Sequence, residues 1–153
     1  MDLSTVIKKE VIFLNKTFKT TDELFTFIGE KTNSLGLAKE TFESALKERE
    51  AVYPTGLQLD NIGVAIPHSD AEHINEEFIS VVTVDEPVSF KSMEDANQAV
   101  DVSIIFVLGL KKAEDQLATL QAIMQVIQDP QVLDNLMKAS STDEVLNILK
   151  KGE

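Results

Sequence analysis

The sequence predicts an α/β fold, a central mixed sheet covered by helices on both faces. Three observations predict it. The order of elements is one strand, two helices, several strands and three helices. The run Val100 to Leu110, VDVSIIFVLGL, is apolar at both alternating sets of positions, as a strand buried on both faces must be. The helical segments carry start signals and one apolar stripe each.

Val11-Ile-Phe-Leu14 is short, apolar and β-leaning, and predicts the first strand. In KTTDELFTFIGEKTNSLG, Thr20 and Glu23 form a capping box, Leu24, Phe27 and Ile28 give one apolar face, and Gly36 closes the helix. A second helix is expected from about Lys39 to Glu50, with Phe42, Ala45 and Leu46 on one side. Glu43 and Lys47 stand four apart, in the favourable order, on the other side.

Residues Tyr53 to His68 hold two prolines and two glycines and predict a loop feeding a short strand, Gly63 to Ile66. Phe78 to Val84 predicts a further strand. Leu117, Leu120, Met124 and Ile127 fall at helical spacing. Asp129-Pro130 supplies an N-cap and an N1 proline for a helix bearing Val132, Leu133, Leu136 and Met137. Ser141 and Glu144 form a second capping box before Val145, Leu146 and Leu149.

No internal repeat or Pro/Gly/Ser linker marks a boundary, so residues 1–153 are expected to form a single domain. With 14 Lys and Arg against 26 Asp and Glu, the net charge is −12, which argues against nucleic acid and an anionic membrane surface. The longest apolar run, Ile104 to Leu110, is far short of the ~18 residues of a membrane span, and the N-terminus lacks a signal-peptide pattern. The absence of cysteine excludes disulfides, thiolate metal sites and a cysteine nucleophile, and fits a cytoplasmic location.

Chemistry must therefore come from a local site. The only two histidines, His68 and His73, lie in PHSDAEH, and the only arginine, Arg49, precedes the Pro/Gly loop in a chain that uses Lys thirteen times. A guanidinium offers a planar fork of donors suited to phosphate or carboxylate. His68 follows a predicted strand end, where α/β sheets commonly place reacting groups. Three chemistries compete with a merely structural histidine. A metal site of His68, Asp70 and His73 lacks the helical His pair of a zincin and a third nitrogen ligand. A hydrolase with His68 as base lacks a nucleophile elbow, and Ser69 adjoins the histidine too closely. As a nucleophile toward phosphorus, His68 would need donors for the phosphoryl oxygens. Arg49, the Thr55 hydroxyl and backbone N–H groups around Gly56 could supply them.

The string REAVYPTGLQLDNIGVAIPHSDAEH, Arg49 to His73, resembles the signature of enzyme IIA proteins of the bacterial phosphoenolpyruvate:sugar phosphotransferase system. It falls in the mannitol/fructose superfamily and is most similar to the galactitol-type branch. The layout agrees over Val11 to Leu149. The resemblance implies a three-layer α/β/α sandwich around a small mixed sheet. It also implies that His68 takes a phosphoryl group from phospho-HPr and passes it to a cysteine of a IIB component during sugar uptake by the membrane subunit IIC. Arg49 would neutralise that group, with no cofactor and no metal in the transfer. Mannitol-type relatives carry a second histidine early in the helix after the long strand, where this chain has Gln116. Galactitol-like members have a histidine five residues after the first, here His73. The alternative is a regulatory module of the same fold that binds a target protein according to its phosphorylation state.

Overall fold

The computed structural model describes residues 3–151; the single-domain expectation also covers Met1, Asp2, Gly152 and Glu153, which lie outside them. The elements run β1 (Ile7–Lys16), α1 (Thr21–Ser34), α2 (Phe42–Val52), β2 (Gly56–Gln58), β3 (Gly63–Ala65), β4 (Phe78–Lys91), β5 (Ala99–Gly109), α3 (Ala113–Ile127), α4 (Pro130–Lys138) and α5 (Thr142–Lys151). The sheet order is β1-β4-β5-β3-β2. β1 pairs parallel with β4 and β3 parallel with β5, whereas β4–β5 and β2–β3 are antiparallel. This is the mixed sheet the sequence predicts.

The pleat sends alternate residues of β5 to two cores. Ile104, Phe106 and Leu108 join Ile123, Val126, Leu133, Leu136, Val145 and Leu149 under α3, α4 and α5. Ile105 and Val107 join Leu24, Phe25, Ile28, Phe42 and Leu46 under α1 and α2. Three layers result, because a sheet with two apolar faces must be covered twice.

The helix boundaries follow their caps. Thr20 accepts from the Glu23 N–H at 3.1 Å. α1 ends in a Schellman motif: Gly36 sits at φ 76°, its N–H reaches the Asn33 carbonyl, and the Leu37 N–H reaches that of Thr32. Asp129 accepts from the Gln131 N–H at 3.0 Å and Ser141 from the Glu144 N–H at 3.2 Å, starting α4 and α5 as read. The Glu43–Lys47 pair closes at 3.0 Å.

Four expectations change. α2 begins at Phe42, not Lys39, because the Phe42 N–H closes a turn on the Lys39 carbonyl first. β4 continues past Val84 to Lys91. Asp85, Glu86 and Pro87 hid this, but they fall where the β4–β5 register skips from Thr83 to Val88, so the proline breaks no ladder bond. β2, only three residues long, was hidden inside the Pro/Gly loop. In α3 the buried face is Thr119, Ile123, Val126 and Ile127, while Leu117 is 60% exposed. Leu117 lies in the second turn of the helix, on the side away from the sheet.

Candidate functional site

β3 and β5 run in the same direction, so their C-terminal ends share one edge of the sheet, the edge where such folds place ligands. His68 stands there. Its strand is prolonged by a bridge between His68 and Leu108, and the Leu108 N–H donates to the Pro67 carbonyl at 3.0 Å. The imidazole Nδ1 lies 2.9 Å from the Ile66 carbonyl oxygen. A carbonyl only accepts, so Nδ1 carries the hydrogen and the lone pair of a neutral ring is on Nε2. Burial pushes the His68 pKa below its ordinary 6.5, and the Arg49 charge pushes the same way. The Ile66 carbonyl and Asp70 oppose them. Desolvation wins, leaving an uncharged imidazole with a free Nε2 at neutral pH.

Arg49 lies in the last turn of α2. Its Nη1 is 3.6 Å from Asp70 Oδ1, and its guanidinium carbon stands 4.8 Å from the centre of the Tyr53 ring. Its Nε is buried without a hydrogen-bond partner. The next residue, Glu50, turns inward. Its carboxylate accepts the Thr55 N–H at 2.7 Å and the Thr55 hydroxyl at 2.8 Å. Burial raises the Glu50 pKa, and the two Thr55 bonds hold it down in part. Glu50 thus ties Thr55 back to the helix, while the Tyr53 N–H donates to the Arg49 carbonyl at 2.7 Å. Between these two anchors the Tyr53 ring lies against the guanidinium.

The other predicted residues have contacts of their own. Thr55 is buried and gives its hydroxyl hydrogen to Glu50. Gly56 is the first residue of β2, and a Cβ there would come within 2.6 Å of the Lys91 carbonyl. His73 packs against the start of α2: its Nδ1 is 2.7 Å from Thr41 Oγ1 and its Nε2 is 3.7 Å from Glu72. Thr41 and Arg49 are eight residues apart on or beside one helix, about 12 Å along its axis. Gln116, half-buried, lies in the first turn of α3, just beyond the end of β5. Residues that sequence reasoning missed are Asp70 as partner of Arg49, Tyr53 as its platform and the Ile66 carbonyl as tautomer lock. The Arg49-to-Tyr53 spacing of four residues on a helix was the one available signal.

Among the described residues no group of three or more His, Asp or Glu side chains is placed to hold a metal. No helix among them is long and apolar enough to cross a membrane. A cavity of about 600 Å³ lies between the β2–β3 turn and the α3–α4 junction, at the far end of β3 from His68.

Residues 5–152 match the family model of the phosphoenolpyruvate-dependent sugar phosphotransferase system, EIIA 2. The galactitol-specific EIIA component of Escherichia coli K12 is 30% identical over 126 residues, 82% of this chain and 83% of its own length. The crystal structure of IIA mannitol from Escherichia coli superposes with a TM-score of 0.76 at 24% identity, covering 94% of this chain and 98% of that one. The complex of enzyme IIA mannitol with phosphorylated enzyme IIB mannitol, from the same organism, gives 0.76 at 23% identity, covering 94% and 96%. The three-layer fold and the family model thus define a sugar-system phosphotransferase, and the chain belongs to the EIIA 2 family of the phosphoenolpyruvate-dependent sugar phosphotransferase system. Within it, the similarity is to the galactitol-type branch, and the role is that of a phosphoryl carrier in sugar transport.

Proposed function

We propose that His68 carries the phosphoryl group, on Nε2. The Nε2 lone pair forms a bond to the phosphorus of phospho-HPr as the bond from phosphorus to the donor breaks, the donor keeping that electron pair. Nδ1 retains its hydrogen, and the Ile66 carbonyl steadies the positive charge that spreads through the ring. Arg49 neutralises the oxygens, and the Gln116 amide, from the first turn of α3, donates one hydrogen bond to them. Thr55 and Gly56 act from behind, shaping the loop rather than giving a hydroxyl to the phosphoryl. His73 braces the loop against α2.

The observation that carries this reading is a neutral, half-buried imidazole, its tautomer set by a main-chain carbonyl, within the field of the chain's one guanidinium. Onward transfer, to a cysteine of a IIB component, runs the same step in reverse, with the thiolate as the attacking atom. The sugar taken up through the IIC subunit is galactitol on this reading, supported by the galactitol-specific relative, most of whose length is matched. The chain works as one domain in the cytoplasm, where HPr and IIB meet it. Incubation with phosphoenolpyruvate, enzyme I and HPr, followed by mass spectrometry, should place one acid-labile, base-stable phosphoryl on His68. His68→Ala should take up none; label on that variant would overturn the assignment.

A further inference from the structure

Before transfer, Arg49 already has an anion. Asp70 Oδ1 stands 3.6 Å from its Nη1, on the loop that leaves His68 and only two residues beyond it. Arg49 is otherwise held from below by the Tyr53 ring, and its Nε finds no acceptor. A phosphoryl group on His68 brings close to two negative charges and three acceptor oxygens, a stronger partner than one carboxylate. Both anions draw on the one positive charge of Arg49.

We propose that Asp70 is a positioning residue that competes with the phosphoryl group for Arg49, holding the guanidinium ready in the empty protein and destabilising the phosphorylated one. In the empty state the carboxylate keeps the guanidinium beside the imidazole. When the phosphoryl arrives, Arg49 turns to it, and Asp70 loses its partner while facing a new like charge. The phosphohistidine is therefore less stable than Arg49 alone would make it. That suits a carrier, which must release what it accepts. Asp70 is 74% exposed, so water damps the effect to a few-fold rather than orders of magnitude.

This inference rests on His68 being the acceptor, and the experiment separates the two. Wild type, Asp70→Asn, Asp70→Ser and Asp70→Glu are each equilibrated with measured amounts of phospho-HPr and HPr, and the phosphorylated fraction is read by intact mass. Both neutral variants should shift the equilibrium toward the phosphorylated protein by about threefold, the scale of an exposed charge pair, and Asp70→Glu should restore most of the wild-type value. A shift of zero or toward HPr in both neutral variants overturns the competition, whatever its cause. Peptide mapping of the wild type reports separately. Phosphoryl found away from His68 fails the site assignment, whereas phosphoryl on His68 with an unmoved equilibrium fails only the role of Asp70.

Discussion

The His68 Nδ1–H donates to the carbonyl of Ile66, two residues earlier in the same strand extension, at 2.9 Å. One main-chain bond thereby decides which ring nitrogen is free to react. It leaves open how easily that nitrogen is protonated, which burial and neighbouring charge decide.

On the role proposed for His68, protonation of Nε2 would remove the nucleophile, so the pH dependence follows directly. The folded pKa is lowered below 6.5, chiefly by burial. Transfer should persist into mildly acid solution and fail as pH falls through that lowered value. The folding term has the same sense: its stabilisation is present above the unfolded pKa and is lost as pH falls through the folded one. NMR titration of the imidazole should give a midpoint below 6.5, lower still in Asp70→Asn because Asp70 raises it. A midpoint at or above the ordinary value contradicts the burial argument.

Thr55→Val removes a hydroxyl donor from a buried carboxylate. The cost should be about 1–3 kcal/mol, read as a lower denaturant midpoint. Glu50 already has a raised pKa, so its contribution is full below the unfolded value and declines as pH rises through the folded one. The variant raises that pKa further, and its deficit should be smaller at acid pH than at neutral pH.

Gly63 admits no side chain. A Cβ there would lie 2.1 Å from the Asp101 carbonyl, inside the β3–β5 pairing that carries His68. Gly63→Ala should cost about 1–3 kcal/mol and slow phosphorylation as well, because β3 must move. Calorimetry with a phosphorylation assay checks both. By contrast, a Cβ at Gly36 would meet nothing within 4 Å; its φ of 76° is the constraint.

Val52, Tyr53 and Leu117 are large apolar side chains at 67%, 62% and 60% exposure, at and just past the end of α2 and in the second turn of α3. Exposed apolar groups of this kind form the centre of partner interfaces. Val52→Asp or Leu117→Asp should raise the KM for phospho-HPr or IIB by about tenfold, equal to ~1.4 kcal/mol, with kcat and melting temperature unchanged. Rates that do not move would show that the partners dock elsewhere. The −12 charge predicts, in addition, that association with a basic partner slows as salt is added.

His73→Gln should leave phosphorylation of His68 within about twofold, because Thr41 and Glu72 take up its ring nitrogens near the far end of α2. A loss of tenfold or more in initial rate would put His73 back in the transfer step.

Local chemistry was the most legible part of the sequence. The capping pairs Thr20–Glu23 and Ser141–Glu144, the Asp129-Pro130 start and the double-faced β5 each depend on neighbours in the chain, and each formed. What escaped depended on partners far away in sequence. β2 exists because β3 offers three residues to pair with, and β4 runs through Pro87 because β5 leaves a register gap there. Leu117 had the spacing of a core residue, but the helix's orientation on the sheet decided otherwise. In the site, the rarity of arginine and histidine pointed to Arg49 and His68. Their chemistry is set by a carbonyl, a ring and a carboxylate, whose orientation no motif encodes.

The latch between Pro67 and Leu108 leaves the proposed acceptor, His68, little freedom to travel, since its main chain is stitched to the middle of the sheet. The histidine behaves as a fixed post. Whatever reach the relay requires must then be supplied by the visitors, which have to bring their own reactive groups to it and withdraw them again.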